Sequence, residues 1–262
     1  MTGGDVIGWG ALAGSLVFVA IALAVGWREQ LGLTRPIVVA VSRSLAQMLV
    51  VGSGLVLVVD PDASIVWSWA WVVAIVLFAS YTITRRAPEV PNLGPVALLS
   101  TGLVASVGLA FAFGLGVFEL GTRTLVPVGG MVVGNSMKAA VVAVRRVCDS
   151  LAEHRPEIEA GLALGMDVRR ASRRFVRASI RTAVTPQIEQ TAGLGLMFLP
   201  GAMTGMILAG ADPLEAVRAQ LALMYILLAA VVTSCAVTAF GTIARLTTDD
   251  HRIVHLERAT GT

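Results

Sequence analysis

Apolar residues come along this chain in blocks of roughly twenty, the length that crosses a bilayer core as a helix. The pattern predicts seven such spans, at residues 6–27, 37–59, 65–83, 96–120, 125–144, about 186–210, and 216–244. The sixth is the least regular, because Pro200-Gly201 interrupts it. Between the fifth and sixth lies a polar island, residues 145–181, with nine of the twenty Lys and Arg residues. It reads as two helices around a turn. Pro156 fits the first turn of one helix and Gly165 the left-handed residue that ends it. Asp167 fits the cap of a second helix starting at Val168. There Val168, Ala171, Phe175 and Ala178 follow helical spacing, while Arg169, Arg173, Arg177 and Arg181 recur every fourth residue beside them. An apolar stripe flanked by arginines predicts a helix lying on the membrane surface. Thr185-Pro186 then predicts a cap and first-turn proline opening span six.

Composition narrows the class. Of 262 residues, 56% are hydrophobic and only 14% charged. A water-soluble domain of this size needs more surface charge. The expected fold is all-α and polytopic, with residues 1–262 forming a single membrane domain. The basic residues orient it. Arg28 and Arg35 follow span one, Arg85 and Arg86 span three, the island span five, and Arg245, Arg252 and Arg258 span seven. The alternate loops are poor in them, with Arg123 after span four and Arg218 after span six. This alternation places the N-terminus outside and the C-terminus in the cytoplasm. Span one is too long for a signal-peptide core and has no basic residue before it. The isoelectric point of about 9.4 then reflects arginines near anionic headgroups rather than nucleic-acid binding. Cys148 and Cys235 form neither a disulfide framework nor a paired-cysteine zinc motif.

Polar residues inside apolar helices are the candidates for chemistry. Arg43 and Gln47 in span two share a helix face. Such an arginine costs about 2.5–3.5 kcal/mol at the bilayer centre, so it faces a translocation path, pairs with neighbouring helices, or snorkels to the headgroups. In span five, Asn135-Ser136 is polar; in span six, Pro200 frees a carbonyl one turn back. Asn135, Ser136, Pro200 and Thr204 therefore either face a path or make a kink with interhelical hydrogen bonds. Gly130/Gly134 and Gly201/Gly205 are small-xxx-small pairs, which let helix backbones approach in lipid. Met131, Met137, Met197, Met203 and Met206 gather in spans five and six. Thioethers suit soft metals, and they also fill cores. No metal-ligand set is assigned. The chain has no Gly-x-x-x-x-Gly-Lys-Ser/Thr loop, and its only lysine is Lys138. His154, His251 and His255 form no His-Glu-x-x-His pair.

Two groups of residues carry a resemblance. Glu159-Ala160-Gly161-Leu162-Ala163-Leu164-Gly165 is similar to the start of the EAA loop of ABC-transporter permeases, which seats in a groove of the ATPase subunit. The downstream Ile-x-Leu-Pro of that loop is absent at its spacing. Around it, Gly130-Met131-Val132-Val133-Gly134-Asn135-Ser136-Met137 and Leu199-Pro200-Gly201-Ala202-Met203-Thr204-Gly205 with Ile207-Leu208-Ala209-Gly210 resemble the FetB-type permease family. That family is associated with iron export in bacteria and aluminium tolerance in plants. Ala202 and Met206 stand where the family has Met and Gln. The likeness takes in Pro213, Ala216-Val217-Arg218 and Gln220, and more loosely Arg43 and Gln47.

The resemblance implies the membrane subunit of an ABC transporter exporting a metal ion such as iron, in the plasma (inner) membrane. It implies a cytoplasmic coupling segment at residues 145–185, with ATPase contact through Glu157, Glu159, Ala160, Gly161, Leu164 and Gly165. A path or gate would involve Arg43, Gln47, Asn135, Ser136, Pro200, Met203, Thr204 and Met206. The chain itself would be no enzyme and would bind no cofactor. ATP and Mg would sit on a separate ATPase partner, and two permease copies would pair. The alternatives are a stand-alone secondary transporter or a seven-helix receptor. The last span lacks the lysine of a retinal protein, and no Asp or Glu lies beside Arg43 to couple an ion.

Overall fold

The computed structural model describes residues 9–58, 64–195 and 199–247. Met197, Arg252, Arg258, His251 and His255, the first residues of span one and the loop after span two lie outside the described residues. Nine helices occur among those described: α1 Trp9–Arg28, α2 Thr34–Val58, α3 Ile65–Arg85, α4 Leu93–Gly114, α5 Thr122–Glu153, α6 Arg155–Ala163, α7 Val168–Ala192, α8 Gly201–Leu208 and α9 Pro213–Leu246. The chain is a helical membrane protein. Of the described helices, α3, α4, α5 and α9 are long and apolar enough to cross a bilayer, and α1 contains a shorter apolar stretch, Gly14–Arg28.

Two compact units divide the chain, Met1–Val59 and Asp60–Thr262. In the first, α1 and α2 touch and are joined by a tight turn. The Glu29 N–H donates to Val25 O at 2.9 Å and the Leu31 N–H to Gly26 O at 3.0 Å.

In the second, α5 and α9 are the hub. α5 packs against α3, α4, α7 and α9, and α9 against α4, α5, α7 and α8. With 32 and 34 residues, these helices are about 48 and 51 Å long, well beyond the roughly 30 Å hydrocarbon core. Each must therefore project past the apolar layer. On α5 the projecting end bears Arg145, Arg146, Asp149 and Glu153. One apolar cluster fills that end, drawing Ile83, Leu93, Val144, Leu151, Ile158, Phe175 and Leu246 from six helices. Another, including Val72, Leu109, Leu125, Val132 and Leu223, fills the opposite half.

Close packing occurs at other glycines than the sequence pairs indicated. A β-carbon on Gly130, Gly134, Gly201 or Gly205 would meet nothing within 4 Å. On Gly129 it would stand 3.1 Å from Val72 Cγ2, on Gly108 2.9 Å from Val132 Cγ1, and on Gly241 it would overlap Val96. The spacing marks a small face, but only the neighbouring helix decides whether that face is used.

The segment after the island also differs. No helix opens at Thr185-Pro186. α7 runs through both to Ala192. Proline removes one N–H from the ladder, and the Thr182 and Thr185 hydroxyls donate to Ala178 O and Arg181 O, at 3.1 and 2.8 Å. Residues 186–210 are not one span but the end of α7, a break and α8. Gly193 caps α7, Gly195 has φ +87°, and Pro200 precedes the eight residues of α8. Eight residues rise about 12 Å, too little to cross.

Candidate functional site

The polar island is a structured corner. α5 ends at His154, whose backbone carbonyl accepts from the N–H groups of Glu157 and Ile158, both at 3.1 Å, so α6 starts without an intervening loop. The His154 ring lies against Phe175 of α7 with centroids 4.3 Å apart. Its Nδ1 stands 3.0 Å from Ser150 O. A carbonyl only accepts, so Nδ1 carries the proton. Pro156 occupies the first turn of α6.

The α6–α7 turn forms as the sequence predicts. The Met166 N–H donates to Gly161 O at 3.1 Å and the Gly165 N–H to Leu162 O at 2.9 Å. This is the Schellman arrangement, which needs a left-handed residue, and Gly165 has φ +83°. Asp167 then caps α7, its Oδ1 accepting from the Arg170 N–H at 2.6 Å.

Contacts within α6 and across to α7 hold the corner together. Ile158 is fully buried. Arg174 pairs with Glu157 across the two helices, and Arg155 Nε lies 2.7 Å from Glu159 Oε1 along α6. These pairs are solvent-exposed, so burial of Ile158 contributes more than they do. Gly161 packs against Ala171. The outer side is left bare: Glu159, Ala160 and Gly165 are exposed, and Leu164 is 80% exposed. An exposed leucine at a rigid, small-residue corner is a ready contact point for another protein.

α7 itself is not a surface helix. Val168, Ser172, Phe175, Val176, Ser179, Ala183, Val184 and Gln187 are buried, and α7 packs on α5 and α9. The Ser179 hydroxyl lies 3.1 Å from Arg146 O of α5 and 2.9 Å from Phe175 O of its own helix. Of the stripe seen in the sequence, Val168 and Phe175 are buried against protein because α7 packs on α5 and α9, while Ala178 stays exposed.

The path candidates occupy three places. Arg43 and Gln47 are exposed on α2, within the first unit. Asn135 and Ser136 are on α5. The Asn135 amide donates to Met131 O of its own helix at 2.8 Å. Ser136 is fully buried, and its backbone carbonyl lies 3.5 Å from Ser234 Oγ of α9. Pro200, Met203, Thr204 and Met206 belong to the α8 segment, whose helix packs on α9. The Thr204 hydroxyl donates back to Pro200 O at 3.2 Å. Met131 and Met137 pack against the apolar clusters. Among the described residues no group of three or more His, Cys, Asp or Glu could hold a metal ion.

The sequence assigns no role to several polar residues inside the helices, of which Gln220 alone enters the resemblance. Ser100 Oγ and Ser234 Oγ are 2.9 Å apart, joining α4 to α9. Thr238 and Thr242 continue the Ser234 face of α9 at four-residue spacing, a signal present in the sequence. Gln187 and Gln220 are buried, and Gln187 Nε2 and Gln220 Oε1 have no hydrogen-bond partner among the described residues. Polar side chains at such depth are costly, which marks Gln187 of α7 and Gln220 of α9 as further candidate polar positions in the interior.

Comparison with known proteins agrees with this architecture. The model of the family described as "Uncharacterised protein family (UPF0014)" matches residues 9–247. The rice protein "UPF0014 membrane protein STAR2" is 36% identical over 81% of this chain and 74% of its own length. The Arabidopsis thaliana protein "ALUMINUM SENSITIVE 3" is 33% identical over 85% of this chain and 81% of its own. The Escherichia coli "Probable iron export permease protein FetB" is 28% identical over 93% of this chain and 94% of its own. No solved structure matches. The chain belongs to the UPF0014 family of membrane proteins.

Proposed function

We propose that this chain is the permease subunit of an ABC transporter, driven by a separate cytoplasmic ATPase and exporting a metal ion such as iron. The observation that carries the reading is the α6 corner. It is short, is anchored by Ile158, turns on Gly165, and exposes Leu164 beside Glu159 and Ala160. Motion of a partner held there would pass directly into α5 and α7, since α6 joins them with almost no slack. The iron cargo rests on the E. coli relative's name. The seven-crossing topology, with the N-terminus outside and the C-terminus inside the plasma (inner) membrane, rests on the alternation of basic loops; its sixth crossing would fall to α7, whose Val168 belongs to one apolar cluster while Leu194 just beyond it packs against the other. The chain would bind no cofactor itself; ATP and Mg would belong to the ATPase. Two permease copies would pair, and the open Gly130/Gly134 face on α5 is available for such a contact.

The test is reconstitution in vesicles with a candidate P-loop ATPase from the same organism. The expected results are co-purification, and iron movement that requires ATP hydrolysis. Iron transport by this chain without any ATPase, or an intact α6 corner that retains no ATPase, would overturn the reading.

A further inference from the structure

Four arginines of α7 open onto a cavity of about 660 Å³ that the coupling corner does not use. Arg169, Arg170, Arg173 and Arg177 line one wall, and Phe240 and Ile243 of α9 the other. Among the described residues none of these guanidiniums has an ion pair; the pairs of the corner belong to Arg155 and Arg174. Asp167 also borders the cavity, but its Oδ1 already accepts from the Arg170 backbone N–H. Four cations therefore face one carboxylate. The apolar wall continues along the outside of α9, where Phe240 and Val232 are 54% and 42% exposed.

We infer that this α7–α9 cavity binds an anionic phospholipid, its phosphate among Arg169, Arg173 and Arg177 and its acyl chain along Phe240 of α9. Guanidinium forks match phosphate oxygens bidentately. Basic pockets between transmembrane helices at the cytoplasmic face suit anionic headgroups. A soluble phosphate compound would use the arginines but not the apolar wall, whereas a lipid uses both. The inference rests on the membrane setting of α9, and on the basic-loop orientation only for naming the leaflet. It does not depend on an ATPase.

The test is native mass spectrometry of the purified full chain titrated with phosphatidylglycerol, phosphatidylcholine or inorganic phosphate. Phosphatidylglycerol is expected to bind in preference to phosphatidylcholine, and more weakly as salt rises. The triple variant Arg169→Gln, Arg173→Gln, Arg177→Gln should bind it roughly ten- to a hundredfold more weakly. Phe240→Ser should weaken phosphatidylglycerol and leave inorganic phosphate unchanged. If the triple variant does not fold, the charge-keeping Arg-to-Lys triple serves, with partial loss expected as the bidentate geometry goes. Equal binding of both lipids, or binding indifferent to the variants and to salt, would overturn the inference. So would phosphate binding without lipid preference, which would point to a soluble ligand.

Discussion

Gly161 of α6 sits directly against Ala171 of α7: a β-carbon at 161 would stand 3.2 Å from the Ala171 Cβ and 3.6 Å from Met166 Sδ. Ala171 cannot rotate away, since its side chain is a single methyl on a helix. The separation of the two helices at the α6–α7 corner is therefore set by the absence of a side chain at 161. The same turn depends on Gly165 at φ +83°. One glycine sets how near α6 approaches α7, and the other sets the angle at which it leaves.

Gly161→Leu should push α6 off α7. Overpacking of this kind costs about 1–3 kcal/mol, concentrated in a nine-residue helix with one fully buried large anchor, Ile158. Amide hydrogen exchange over residues 155–163 should quicken while that of α5 and α9 stays slow. Gly161→Ala should be near neutral, because its gain in helix propensity, about 1 kcal/mol, offsets a contact tight by only a few tenths of an ångström. Unchanged exchange in the leucine variant would show that the contact is not limiting.

Gly165→Val should strain the turn by about 1–2 kcal/mol, the cost of left-handed backbone for a residue with a β-carbon. Gly165→Asn should retain most of the wild-type behaviour, since asparagine tolerates this region. In the proposed transporter, the valine variant should lose ATP-coupled transport and the asparagine variant keep it, read as iron movement per ATP hydrolysed. Equal coupling in the two variants would remove the turn from the coupling role.

The Ser100–Ser234 contact ties α4 to α9 inside the bundle. Interhelical hydrogen bonds in membrane proteins average about 0.6 kcal/mol and reach about 1.7. A double-mutant cycle of Ser100→Ala and Ser234→Ala, followed by unfolding in detergent, should give a coupling energy in that range. Strict additivity of the two substitutions would show that the hydroxyls do not interact.

Gly241→Ala should destabilise the α4–α9 contact, because the new methyl overlaps Val96 and approaches its Cβ to 3.3 Å. The expected loss is about 1–3 kcal/mol, seen as a lower melting temperature. Adding Val96→Ala should recover part of it. Failure of that rescue would place the cost elsewhere in α9.

Much of the α6–α7 corner was legible in the sequence because capping chemistry is local. Pro156 in a first turn, Gly165 beyond a helix end and Asp167 before Val168 each act on backbone groups a few residues away, and all three occupy the predicted positions. Thr185-Pro186 carried the same kind of signal and misled. A threonine and a proline can start a helix or be absorbed into one, and the packing of α7 on α5 and α9 chose the second. The glycine pairs find no close neighbour within this chain. Gly130/Gly134 has the right spacing, but Gly108, Gly129 and Gly241 are the residues with a neighbour close enough to need them.

By itself the sequence determined that this is a helical membrane protein, since blocks of about twenty apolar residues have no other stable home. It also determined the turn between α6 and α7, because that turn is made by its own residues. Tertiary structure alone decided which face of α7 is buried and that the sixth apolar block breaks into the end of α7 and the short α8. It also decided that Arg169, Arg173 and Arg177 face Phe240 across a cavity. These depend on how far α5 and α9 project and what they cover, a matter of contacts between residues distant in the chain. Periodicity gives each helix a face, but only packing gives that face a partner.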